Sequence, residues 1–221
     1  MTRTEMNLAS ESLASSKGFA GTLKAAVEGI LRGVDNNCNG SSHLDTLLEL
    51  HRRVTPRHRP GWGQFRDGQA FICLNRRRVK ELAPPGEAIA LAAGAMAWLN
   101  QTRKEPHGTL KPFFLASEIS YLLLHAHPFV DGNGRVARAM GTSVLLQEGY
   151  ELSADLRLFC HERQERYFEA VSAREDWPNR PEPWNQFFEE MVGHCFALPR
   201  PLRAKVRMND AIWSRNDRSP P

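Results

Sequence analysis

The sequence predicts an all-α fold, a helical bundle carrying one small β-hairpin. Three observations lead there. Apolar residues recur at helical spacing in segment after segment. Only one stretch, residues 64–74, reads as strand. And 41% hydrophobic residues in a chain of 221 suffice for one domain with a buried core and a short appendage.

The elements follow in order. Residues 1–18 are polar and serine-rich, and a flexible N-terminus is expected there. Residues 19–43 should hold an N-terminal helix and a loop: Leu23, Ala26, Val27, Ile30 and Leu31 share one helical face, and Asp35 to Ser42 follows with three asparagines and a glycine. Leu44 to Arg53 is a second amphipathic helix, with Leu44, Leu47, Leu48 and His51 in phase. Pro56 to Gly63 breaks it. In the strand region, Phe65 and Phe71 to Leu74 flank Asp67-Gly68, which predicts the hairpin turn.

Pro84-Pro85-Gly86 stops that pattern, and Glu87 to Asn100 is an alanine-rich helix, apolar over most of its surface and therefore expected to be buried. Lys104 to Pro112 is a loop. Phe113 to Ala126 is a strongly apolar helix that should end at His127, because a residue before proline is pushed out of helical dihedrals. A further helix runs from Asn133 to Glu148, with Gly149 placed as its C-terminal cap. His161–Arg174 and Pro183–Cys195 fit two more helices, and residues 199–221 are expected to be a basic, disordered tail.

Composition limits the setting more than the chemistry. No run of eighteen apolar residues suggests a transmembrane helix, and Met1 to Ala14 does not read as a secretory signal. Cys38, Cys73, Cys160 and Cys195 form no CxxC pair, which suits reduced thiols in a cytoplasmic protein. Net charge is +4. Two basic clusters, Arg76-Arg77-Arg78 with Lys80, and Arg52, Arg53, Arg57 and Arg59, read first as solvated faces. No aromatic interleaving or motif argues for nucleic acid.

The chemistry is concentrated in His127-Pro128-Phe129-Val130-Asp131-Gly132-Asn133-Gly134-Arg135-Val136-Ala137-Arg138. Gly132, Asn133 and Gly134 all tolerate positive φ, and a turn of such residues opening a helix can aim several N–H groups at an anion. Arg135 and Arg138 project from neighbouring positions on one face of that helix. Two cations in a first turn oppose the helix dipole, and a bound polyanion would reverse the sign of the site. Asp131 reads either as the helix N-cap or as a ligand for Mg²⁺ shared with phosphate oxygens. His127, facing such a turn, could accept a proton from an attacking hydroxyl near neutral pH, although a lone histidine at a helix end is more often a cap or a packed residue. His125 and His127 form a His-x-His pair without a cysteine or a third histidine nearby, which argues against zinc.

This run resembles the signature of the Fic (filamentation-induced-by-cAMP) family, HxFx(D/E)GNGRxxR, at every fixed position. Leu50-His51-Arg52-Arg53, Pro60-Gly61, Phe65-Arg66, Pro84-Pro85 and Gly149-Tyr150 fall in the family's order, so the resemblance covers roughly residues 44–196 and suggests a Fic domain over 44–198. It implies a Fic-type helical bundle and a protein adenylyltransferase that moves AMP from ATP to a Ser, Thr or Tyr hydroxyl of a target protein. It implies His127 as general base and Asp131 as Mg²⁺ ligand. Gly132, Asn133 and Gly134 would cradle phosphate, with Arg135 and Arg138 as clamps. The Doc kinase branch carries lysine in place of the second glycine, so Gly134 favours nucleotidyl transfer. The hairpin matches the family's flap, with Phe71 and Ile72 as the residues that would clamp a target strand, or equally as core.

Regulation departs from the family pattern. An inhibitory helix would read (S/T)xxxE(G/N). Glu28-Gly29 is the candidate, but position 24 is Lys, and Lys24–Glu28 is an ordinary i,i+4 pair. The resemblance otherwise points to toxin-like forms restrained by a separate inhibitory, antitoxin-like protein. Two rival readings stand beside adenylyl transfer: removal of AMP by the same fold, and a catalytically idle nucleotide-binding interaction module.

Overall fold

The computed structural model describes residues 43–74, 77–104, 111–154, 156–176 and 181–197. The expected helix carrying Glu28, the N-terminal segment before it and the basic tail lie outside them. The order is α1 (His43–Val54), β1 (Phe71–Leu74), β2 (Arg77–Glu81), α2 (Pro85–Arg103), α3 (Lys111–Ala126) and α4 (Asn133–Gln147). Then come β3 (Glu151–Leu152), α5 (Leu156–Glu162), α6 (Gln164–Asp176), α7 (Glu182–Cys195) and β4 (Phe196–Ala197). The fold is mostly helical, with two small antiparallel strand pairs.

Helices α3 and α4 form the centre. They pack on each other, and Leu115, Ala116, Ile119 and Leu123 of α3 and Val136, Ala137, Met140 and Val144 of α4 are buried. Small residues let the two backbones approach closely. A Cβ on Gly141 would sit 2.9 Å from the Ala116 carbonyl. The Ser120 hydroxyl lies 2.7 Å from the Ala116 carbonyl and 3.2 Å from that of Ala137 across the crossing. Helix α2 covers α3 and α1 covers α4, while α7 packs on α3 and on α6.

An aromatic group around Tyr121, Tyr167, Trp184 and Phe187 fills the α3–α6–α7 side. There Arg174 grips buried Glu118 through two hydrogen bonds of 2.7 and 2.5 Å and lies over the Tyr121 ring at 4.1 Å. A charge pair this dry costs desolvation that its own bidentate geometry offsets, so it fixes how α6 meets α3 more than it adds stability.

Helix α4 ends as its glycine predicts. Gly149 has φ +82°, and the N–H groups of Gly149 and Tyr150 return to the carbonyls of Leu146 and Leu145, both at 3.1 Å. That pair of bonds is a Schellman motif.

Four expectations are corrected. The hairpin pairs Phe71 with Glu81 and Leu74 with Arg77, with a bulge between Ile72 and Cys73, so Asp67-Gly68 precedes β1 instead of turning the hairpin. The second strand is rich in arginine and lysine, which hid its strand character. Helix α2 buries only Ala88, Ala92, Ala95, Met96 and Leu99, leaving Leu91 exposed: alanine promotes helix whether or not it is covered. The single helix expected over 161–174 is two, broken at Arg163, and no glycine or proline marks the break. The β3–β4 pair joins Leu152 to Phe196, a contact between distant segments too short to show periodicity.

Candidate active site

The motif occupies the turn between α3 and α4. Leu123 still accepts from the His127 N–H at 3.2 Å, but His127 has φ +48°, the only positive φ of a non-glycine among the described residues. Histidine tolerates this left-handed conformation better than most side chains do, yet at a cost, so something must hold it. Arg66 is part of what holds it: its Nε donates to the His127 carbonyl at 2.8 Å, and its backbone N–H donates to the Pro128 carbonyl at 2.9 Å.

Phe129, fully buried, plugs the loop into the core between His51 and Phe65. Asn133 then clasps the same residue at two points. Its Oδ1 accepts from the Phe129 N–H at 3.0 Å, and its Nδ2 donates to the Phe129 carbonyl at 2.8 Å. The Asn133 side chain is therefore committed to the loop, and only its backbone can serve a ligand.

Gly132 is the N-cap of α4, with φ +91°, and no side chain caps the helix. Of the three residues expected to tolerate positive φ, only Gly132 uses it. Its need for glycine is also steric, since a Cβ would lie 2.5 Å from Thr55 Oγ1 and 3.1 Å from His51 Nε2. Gly134 is helical, and its missing Cβ leaves room for Arg138, whose Nη1 would stand 3.3 Å from it. The expected anion cradle is thus a bare helix N-terminus, with the N–H groups of Asn133, Gly134 and Arg135 in its first turn.

Asp131 is not the helix cap. Its Oδ1 accepts from the Gly132 N–H at 2.6 Å, while Oδ2 lies 3.0 Å from Arg135 Nη2 and 3.5 Å from Arg59 Nε. Partial burial pushes its pKa up, but Arg135, the Gly132 N–H and Arg59 outweigh that and leave it below the ordinary carboxylate value. The carboxylate is ionised at neutral pH.

Arg135 faces this carboxylate as a charge, not as an aligned hydrogen-bond donor. Its Nε and Nη2 are buried, and neither has a hydrogen-bond acceptor among the described residues. Orphaned guanidinium donors are costly, and they mark a place where acceptor oxygens belong. Arg138, one helical turn on, faces the buried Tyr167 hydroxyl, whose pKa is pushed up to about 12 by burial, with Arg138 opposing the rise. Phe71 and Ile72 are half-buried in β1, neither sealed in the core nor fully exposed. Glu28 lies outside the described residues.

Sequence reasoning passed over three side chains that build the site. His51 on α1 is fully buried and accepts from the Gly63 N–H through Nδ1 at 2.9 Å, which leaves Nε2–H to donate to the Asp131 carbonyl at 2.9 Å. Its place on an apolar helix face, in phase with Leu44 and Leu47, was the available signal. Arg66 was named only as part of a sequence run. Arg59 was counted in a basic cluster, where nothing distinguished it from Arg57.

The fold is a helical bundle whose two central helices are joined by a loop carrying a histidine, a carboxylate and a bare helix N-terminus, with a hairpin alongside. Residues 41–145 match the Fic/DOC family. It is 38% identical over 109 residues to the protein adenylyltransferase Fic of Drosophila sechellia; the match covers 48% of this chain but only 20% of that protein. Among solved structures, the fold is similar to a Fic domain-containing signalling protein from Bacteroides thetaiotaomicron, with TM-score 0.59, 19% identity, and 78% of this chain and 68% of that one covered. It is also similar to the BepC effector protein of Bartonella tribocorum, solved with bound AMPPNP, with TM-score 0.54, 16% identity, and coverage of 76% and 83%.

Proposed function

We propose that this domain transfers AMP from ATP to a Ser, Thr or Tyr hydroxyl of a target protein. The observation that carries the reading is Arg135. Its buried Nε has no acceptor among the described residues, and its Nη2 meets only the ionised Asp131 carboxylate at 3.0 Å, at a helix N-terminus with no side-chain cap. A magnesium-bound polyphosphate would supply acceptor oxygens for the guanidinium and the helix N-terminus, with the metal held by the carboxylate. Mg²⁺ is commonly held by one or two carboxylates together with waters and substrate phosphates, a role a single ionised Asp131 suits. The named activity of the Drosophila relative and the AMPPNP in the Bartonella protein support the choice of ATP.

In this reading Asp131 would hold Mg²⁺, which would neutralise phosphate charge. The N–H groups of Asn133 and Gly134 receive phosphate oxygens, with Gly132 giving the backbone its close approach. Arg135 and Arg138 clamp the rest. His127 accepts the proton of the target hydroxyl as its oxygen bonds to the α-phosphorus; the bridging P–O bond to the β-phosphate breaks, and pyrophosphate leaves. Phe71 and Ile72 of β1 hold the target strand by adding it to the hairpin.

We place the reaction in the cytoplasm on the four widely spaced cysteines, which suit reduced thiols. Among the described residues no helix is long and apolar enough to cross a membrane. Control comes from a separate inhibitory partner, because Lys24 breaks the pattern an inhibitory Glu28 would need. Incubation with α-labelled and γ-labelled ATP and Mg²⁺ tests the assignment. Label from the α position only, dependent on His127, supports it. Label from the γ position only would make the domain a kinase, and release of AMP from a modified protein would make it the reverse enzyme.

A further inference from the structure

Arg66 is 3% exposed, and its guanidinium partners among the described residues are all backbone carbonyls. Nε donates to His127 at 2.8 Å and Nη1 to Gly68 at 3.0 Å; Nη2 donates to Ala83. These carbonyls come from three separate places. Gly68 leads into β1 and Ala83 follows β2, so the two bracket the hairpin. The hairpin base is closed further by the Leu82 N–H on the Ala70 carbonyl at 3.1 Å and by Gln69 Nε2 on the Leu82 carbonyl at 2.5 Å. The third carbonyl belongs to His127, whose φ of +48° needs support. A buried arginine is ordinarily met by a carboxylate. This one spends its planar fork on tying both legs of the hairpin to the backbone of the candidate base, and its own N–H, 2.9 Å from the Pro128 carbonyl, adds a fourth tie to the same loop.

We propose that Arg66 is a positioning residue that fixes the hairpin relative to His127, so that a hydroxyl carried on a strand held by β1 arrives at the imidazole. The inference rests on the adenylyl-transfer reading. It assigns Arg66 no contact with nucleotide or target. Its effect therefore belongs to the transfer step and not to ATP binding, and it requires the hairpin and the His127 loop to loosen together.

Arg66→Lys carries the test, since it keeps the charge and most of the volume but cannot reach three diverging carbonyls at once. Two measurements are made on the full chain. In hydrogen exchange, amides of residues 68–83 and of Phe129 to Gly132 should both exchange at least about tenfold faster, with Ile119 to Leu123 unchanged. In transfer from α-labelled ATP to the acceptor that the wild type labels, the rate should fall by about 10²-fold, as expected for a reacting group displaced by about 1 Å, while ATP affinity changes by less than about threefold. Low-millimolar guanidinium should restore part of the lost rate in Arg66→Ala. Full transfer in Arg66→Lys, a parallel loss of ATP affinity, or faster exchange in the hairpin with the loop still protected would each overturn the proposal. If the wild type labels nothing, adenylyl transfer itself fails, and the exchange measurement still decides whether Arg66 couples the two segments.

Discussion

The ring of His51 lies flat on that of Phe129, with centroids 4.1 Å apart and planes 8° from parallel. Through this stack α1 supports the motif loop from beneath, and the two His51 nitrogens bridge the Gly63 N–H to the Asp131 carbonyl. The bridge needs a neutral ring, because a proton on Nδ1 would remove the acceptor for Gly63.

His51 therefore makes the fold acid-sensitive. Burial, helped by Arg135 and Arg52 and opposed by Asp131, lowers its pKa from the ordinary 6.5. The unfolded chain takes up the proton first as pH falls. The contribution is complete above about pH 6.5 and is lost as pH drops from there through the folded-state value, at no more than about 1.4 kcal/mol per pH unit. Urea titrations of wild type and His51→Leu between pH 7.5 and 5 should show this component in the wild type alone. The variant should be less stable at neutral pH by roughly 1–3 kcal/mol, since two buried backbone groups lose their partner.

Arg135→Ala should separate binding from folding. Its partner in the ligand-free protein is the part-exposed Asp131 carboxylate, a pair worth little to stability, so the melting temperature should change by less than about 3 °C. Charge-assisted hydrogen bonds are worth about 1.5–3 kcal/mol each, so Mg-ATP affinity, measured by calorimetry, should fall by tenfold or more. A large loss of stability with affinity retained would contradict the site.

Gly132→Ala should act in the opposite way, through the fold. The φ of +91° and a Cβ only 2.5 Å from Thr55 Oγ1 combine left-handed strain with overpacking. The cost should be roughly 2–4 kcal/mol, read as a melting point lower by more than about 5 °C.

Glu28→Gly tests the control of the reaction. With Lys24 where a serine or threonine is needed, the substitution should change the rate of AMP transfer by less than about twofold; a rise of tenfold would show that the glutamate restrains the site.

The sequence made legible what local rules govern. The helix stop before Pro128, the start at Asn133 and the Gly149 cap follow from proline and glycine chemistry acting within a few residues. So did the cluster of His127, Asp131, Arg135 and Arg138, because four chemical roles fell inside twelve positions. What escaped is long-range. The hairpin partner of Phe71 is Glu81, in a strand whose charge masks its pattern. His51 and Arg66 reach the site from eighty and sixty-one residues upstream of their loop partners, so spacing could not reveal them. Asn133 misled for another reason: its residue type suits an anion-binding turn, but its amide is spent on Phe129.

Labelling with α-labelled ATP and Mg²⁺, wild type beside His127→Ala, decides whether this domain transfers AMP through His127. Covalent label on protein is expected with the wild type, none with the variant, and equal Mg-ATP affinity in both. Label of equal intensity with His127→Ala would contradict that role.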